Sequence, residues 1–330
     1  MAYQTGTATD VDDLIAKLST FLQANGWTED KYVAGSGDGW SSELYISKGA
    51  SFFTIEAGVQ TASQFYLGQT QTIDRPYIRI RGATGHDGGQ PVSNQPNTHS
   101  NYAEVDWLQN NMTAYHFFTD PAQTYCHCVV ESVANTFHHI VFGLANKIGT
   151  YDGGEYLFGH RHIHGPTNVD DPANSQHIFP WMGGGSSSTG RGYFHCNVDG
   201  VRWKRYHFLT TFQSIAASIQ IGYTQGYPSE IWANPSSHAQ RVATPQSFND
   251  VSPLANIPCG WIIRSTTIWT PVGHFPDVRI VNMKNLSPGA SLVLGGDTWR
   301  CFPLGRKEIP GLEGSFINTG YMGYAYKEIP

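Results

Sequence analysis

Three histidines alternate in the segment Gly159-His-Arg-His-Ile-His-Gly165. On an extended strand His160, His162 and His164 project from one face, about 7 Å apart at successive positions. Neutral imidazoles in such a row can ligate a transition metal, and Asp170, Asp171 and His177 downstream can add ligands. A metal-dependent hydrolase is the chemistry this set allows. The competing reading is that the imidazoles hydrogen-bond within a polar loop or at a subunit contact. No Cys-x-x-Cys or His-Glu-x-x-His accompanies them to complete a metal motif. No other cofactor is expected.

The remaining reactive residues point away from catalysis. Cys126-His127-Cys128 puts both thiols on one face of a strand and the imidazole on the other, so the three cannot converge on one ion. The cysteines read as small apolar core residues. His138 and His139 are adjacent, which predicts one core and one surface histidine on a strand. Gly35-Ser-Gly-Asp-Gly39 lies between two strand patterns, with no helix N-terminus to hold a phosphate. The stretch Gly185 to Gly192 approaches a P-loop but has Arg191 where Lys is required. No Gly-x-Ser-x-Gly elbow occurs, and the carboxylates are scattered. Val201-Arg-Trp-Lys-Arg-Tyr-His-Phe208 interleaves bases and aromatics. It could stack sugars or bases, or form an amphipathic strand whose Arg and Lys stems cover aromatics.

Composition narrows the class further. Charged residues are 14% of the chain and aromatics 13%, so much of the surface is uncharged. Such faces suit a protein covered by neighbours, which predicts a homo-oligomer. A net charge of -6 argues against general nucleic-acid binding. The first ten residues lack a basic n-region and an apolar h-region, so no Sec-type signal is expected, and no apolar run approaches membrane-spanning length. Five cysteines give no disulfide framework, and synthesis in a reducing cytoplasm is expected.

The elements that position these residues are mostly strands. Residues 9–25 carry the one strong helix pattern, with Val11, Leu14, Ile15, Leu18, Phe21 and Leu22 on one face. Thr9 or Asp10 can cap it and Asn25-Gly26 can stop it. Strands are predicted at 31–34, 43–47, 51–56, 77–81, 113–119, 124–133, 137–144, 192–195, 201–209, 216–223, 261–269 and 278–281. More are expected around Leu292-Val-Leu294, 297–304 and 320–326. Residues 84–101 and 160–192 read as long loops suited to contacts. The expected fold is mainly β (α+β): antiparallel β-sandwich or barrel-like sheets, a short N-terminal amphipathic helix and long loops. The expected division is 1–160, 161–192 and 193–330. Leu14, Leu18, Phe21, Trp181 and Trp203 are the expected assembly contacts.

Three phrases carry a resemblance: the opening helix ending in Asn25-Gly26-Trp27, the pair Tyr115-His-Phe-Phe-Thr119 and Tyr125-Cys-His-Cys-Val-Val-Glu131, and Phe137 through Tyr156. Together they resemble virion structural proteins of tailed bacteriophages and prophages, over residues 10–160. The resemblance implies a β-rich particle component of tail, baseplate or neck, present in several copies and partnered by other virion proteins. It carries over no catalytic or ligand residues. A carbohydrate- or receptor-binding module at a tail tip, with a host glycan as partner, is the alternative.

Overall fold

The computed structural model describes residues 3–35, 42–66, 69–100, 102–106, 108–159, 177–178, 181–182, 194–197, 200–206, 254–261, 270–306 and 322–329. The chain opens with β1 (Tyr3–Ala8) and α1 (Val11–Ala24). Asp10 caps α1 by accepting from the Asp13 amide at 2.8 Å. At the other end Gly26 adopts φ +82, its amide reaches the Gln23 carbonyl, and the Trp27 amide reaches the Leu22 carbonyl. That pair of bonds is a Schellman stop, and it turns Trp27 into the core beside Leu22.

Strands β2 (Thr28–Val33), β3 (Ser42–Lys48), β4 (Ser51–Tyr66), β5 (Gln69–Ala83) and β6 (Ala103–Asp106) form a meander sheet in chain order. Next come β7 (Met112–Phe118), β8 (Tyr125–Val133), β9 (Thr136–Leu144), β10 (Asn146–Lys147) and β11 (Glu155–Gly159). A short pair, β12 (His177–Ile178) and β13 (Trp181–Met182), precedes β14 (Phe194–Asn197) and β15 (Lys204–Tyr206). The last strands are β16 (Leu254–Trp261), β17 (Thr270–Asn282), β18 (Ala290–Leu294), β19 (Asp297–Pro303), β20 (Gly305–Arg306) and β21 (Met322–Glu328).

The central sheet has the order β1-β7-β8-β9-β11-β14-β15, with β20 also pairing with β9. The C-terminal sheet has the order β10-β17-β21-β19-β18, with β16 also pairing with β17. The mainly β expectation holds, with one α-helix among the described residues, but none of the described sheets closes into a barrel. Nor does 161–192 separate two sheets: β11 pairs with β14 and β9 with β20, so strands from both sides of that segment share one ladder. The predicted strand at 216–223 lies outside the described residues.

Three layers result, with the central sheet in the middle. Alternation along β8 sends Cys126, Cys128 and Val130 into a core built with α1 and the meander sheet. It sends Tyr125 and His127 to the opposite face, where His127 lies against Tyr326 of the C-terminal sheet. Covering on both faces explains why β8 and β9 are buried almost continuously rather than at alternate positions. It also corrects the reading of His138 and His139 as one core and one surface residue. Both are buried, because each face has its own cover.

Trp203 locks the meander sheet to the segment leading into β15. Its indole lies flat on Gly82, packs edge-on to Phe53 at 5.7 Å, and donates to the Ala83 carbonyl at 3.1 Å. A Cβ at Gly82 would fall inside the indole ring. Gly82→Ala is therefore expected to destabilise the chain by about 1–3 kcal/mol through overpacking. Urea unfolding measures this, and the midpoint should fall without a change of slope.

Candidate assembly interface

Most of the residues expected to meet neighbours meet the chain's own interior instead. Leu14, Leu18, Phe21 and Trp203 belong to the main core and are at most 2% exposed. They are corrected from assembly contacts to internal packing: the helix stripe that needed a partner docks on the sheets of its own chain. Phe21 meets Phe117 of β7 at a ring distance of 5.5 Å. Trp181 lies on β13, and its side chain is outside the described residues, as are His160, His162 and His164. Among the described residues no group of three His, Cys, Asp or Glu side chains could hold a metal ion. Among them too, no helix is long and apolar enough to cross a membrane.

The loop at 84–101, expected to be a contact element, is folded at 84–100 over the outer face of the meander sheet. Gln95 holds it in shape: its amide nitrogen donates to the carbonyls of Asp87, Gln90 and Pro91, and its oxygen accepts from the Asp87 amide. His86 packs edge-on against Tyr45 at 4.8 Å, and Thr54 donates to the Val92 carbonyl at 3.5 Å. Beside this cover Arg79 bridges Glu104 at 2.7 Å and Glu56 at 3.5 Å, with its guanidinium 3.9 Å from the Tyr77 ring centre. These charges are paired across neighbouring strands within the chain.

Between the central and C-terminal sheets lies a polar layer that the sequence did not reveal. The Nε2–H of His127 donates to the Pro276 carbonyl at 2.9 Å. His139 donates from Nε2 to the Pro303 carbonyl at 2.9 Å, which leaves Nδ1 to accept from the Tyr326 hydroxyl at 2.8 Å. Tyr125 donates to Asp277 at 2.7 Å. Asp277 has φ +49 and sits where the β16–β17 register slips, so the irregularity turns Pro276 and Asp277 toward β8. His116 completes the layer, bonded to the Tyr3 hydroxyl at 3.0 Å and packed on Phe302.

Burial holds all three imidazoles neutral. It pulls His127 down to about 3 and His139 to about 4, while burial followed by the nearby Arg300 charge pulls His116 to about 4. The phenols of Tyr125, Tyr324 and Tyr326 are pushed upward by the same burial.

Among the described residues, a long hairpin and an end strand carry exposed positions. The hairpin is a β-ribbon. Among the described residues β4 pairs with β3 from Ser51 to Ala57, β5 pairs with β6 from Tyr77 to Ile80, and β4 and β5 pair with each other out to Tyr66 and Gln69. Gly58–Tyr66 and Gln69–Pro76 run as a paired hairpin for about 30 Å, buried at Gly58 and Pro76. Pro76 lacks an N–H, and its carbonyl takes the Leu108 amide at 3.2 Å. Gln60, Thr61 and Asp74 on this ribbon are exposed.

The other surface is β18, the end strand of the C-terminal sheet. Leu292 packs inward against the Trp299–Ala325 cluster, whereas Val293 is 75% exposed and Leu294 is 44% exposed. Arg300 of β19 lies over the Tyr3 ring at 5.0 Å, and Tyr3 belongs to β1, the last strand of the central sheet. β18 lies one strand further out than β19 in its sheet.

No protein-family model and no curated protein matches this chain.

The three depressed imidazoles predict an acid-labile layer. The unfolded chain takes up these protons near pH 6.5, whereas the folded layer resists them until about pH 3–4, so stability falls between those limits. Each imidazole steepens the fall by about 1.4 kcal/mol per pH unit. Urea midpoints from pH 7 to pH 4 should drop steeply for the native chain. In a His127→Gln, His139→Gln variant the drop should be much shallower, from a lower starting value.

Proposed function

We propose that this chain is a structural component of a tailed-phage virion, of the tail or baseplate, acting by association with copies of itself and with neighbouring virion proteins. The observation that carries the reading is the long β4–β5 hairpin, whose strands stay paired at 58–66 and 69–76 beyond their described neighbours. A hairpin that projects on its own two strands is marginal in water. Here it extends from a body whose own apolar stripes, the helix face included, are already internally satisfied. A segment of this kind gains stability when another chain covers it. The low charge of the chain and the phage-like phrases in its first half support the same reading.

The body suits such a role. Its three layers hold the ribbon and the β18 edge in fixed relation, so each copy offers the same geometry to the next. Quantitative mass spectrometry of gradient-purified particles tests the reading. The chain should co-purify at a fixed number of copies per particle and resist a high-salt wash. Its absence from particles that are otherwise complete would refute the role.

A further inference from the structure

Where β11 meets β14, two buried side-chain oxygens have no donor. Glu155 and Asn197 stand directly opposite each other in the ladder, so both side chains leave the same face of the central sheet. It is the face of Leu157, which packs into the main core. Glu155 is 7% exposed and Asn197 is 4% exposed. Oε1 of Glu155 accepts from the Ser51 hydroxyl of β4 at 3.3 Å. Neither Oε2 of Glu155 nor Oδ1 of Asn197 receives a hydrogen bond. Two acceptors on opposed residues, both out of water, are costly unless a donor lies between them. We infer that the donor is Glu155 itself: it is a neutral carboxylic acid in the folded chain, its Oε2–H donates to Asn197 Oδ1, and this proton fastens β14 to β11 until rising pH removes it.

The surroundings favour a proton over a metal ion. A calcium ion takes roughly six to eight oxygens. The side chains placed here supply the oxygens of Glu155, Asn197 and Ser51, with a single acid among them. Leu144 of β9 stands opposite Glu155 in the other ladder, and His195 lies two residues along β14 on the same face. Lys147 of β10 is the charged group that acts on the carboxyl, and a metal cation would add to that charge. Burial pushes the Glu155 carboxyl above the ordinary carboxyl range, against smaller opposing pulls from a backbone amide, Ser51 and Lys147. The opposite arrangement has the Asn197 amide turned to present its nitrogen to an ionised Glu155, and it would lower the carboxyl instead.

The seam is a consequential one. β14 returns the chain to the central sheet after residue 160 and leads on to Trp203, which locks onto the meander sheet. Removing the proton leaves a bare charge buried between β11 and β14, which loosens that ladder. The unfolded chain gives up this proton near pH 4.5, whereas the folded chain holds it to higher pH, so stability falls as pH rises through that interval. This sign is opposite to that of the imidazole layer. The central sheet is held to the C-terminal sheet by groups that fail in acid, and along its own ladder by a group that fails as acid is withdrawn.

Glu155→Gln tests this in the full chain. The variant keeps the shape of the side chain, has no proton to lose, and can donate its amide N–H to Asn197 Oδ1. Every other titrating group is common to both chains, so the difference between their urea midpoints from about pH 5 to about pH 8 reads Glu155 alone. The native midpoint should fall relative to that of the variant as pH rises, and the variant should be the more stable at the upper end. Infrared spectra of the native chain with 13C-labelled glutamate carboxyls supply a second readout that does not depend on the variant folding. The C=O stretch of a protonated glutamic acid should persist above the range in which exposed carboxyls ionise, about pH 4–5. It should then fade as pH rises further. A midpoint difference that stays constant or favours the native chain at the upper end would overturn the inference. So would loss of the protonated band within the ordinary carboxyl range, which is the result expected if Asn197 donates to an ionised Glu155. None of these outcomes depends on what the chain assembles with.

Discussion

The constraint on which the structure depends is that the central sheet is covered on both faces. A sheet with one wet face can place polar side chains there. This one cannot, so nearly every side chain of β8 and β9 has to find a partner inside. On the α1 side the solution is apolar packing among Cys126, Cys128, Ile140 and Phe142. On the other side it is mixed: aromatic rings with His127 and His139 donating to two proline carbonyls. Those bonds have no water to compete with, and an imidazole left without its partner there would be costly. The C-terminal sheet is thus fixed on the central sheet by direction as well as by area.

From that arrangement follows what the chain has to offer its surroundings. The helix stripe, the 84–101 loop and Trp203 are all used in closing the body. Among the described residues, the features left exposed include the outer part of the β4–β5 hairpin and the β18 edge. Both are backbone surfaces, with hydrogen-bonding capacity along their sides and little charge. Recognition by such surfaces depends on strand geometry more than on individual side chains.

Local pattern made much of the fold legible. The α1 stripe, its Asp10 cap and the Asn25-Gly26 stop follow from spacing and backbone preference, and the opposed faces of Cys126 and His127 follow from strand alternation. What depends on distant residues was not legible. His138 and His139 look like one inside and one outside residue until Pro303, Tyr324 and Tyr326 arrive over the second face. Leu14, Leu18 and Phe21 form an apolar stripe whether the partner is another chain or the same one, and the sequence does not say which. The ribbon was read only at its base, as strands at 51–56 and 77–81. Its outer part is Gln- and Thr-rich, with no apolar face to mark it as paired. Leu292-Val-Leu294 reads as a strand, but its place at the end of a sheet depends on the order of strands far apart in the chain.

Amide hydrogen exchange, compared between concentrated and dilute samples of the native chain, tests the central claim most directly. The account predicts that β8 and β9 are strongly protected in both, while residues 58–76 and 290–294 become protected only in the concentrated sample. Equal exchange of those two segments at both concentrations, or rapid exchange of β8 and β9 in either, would contradict it.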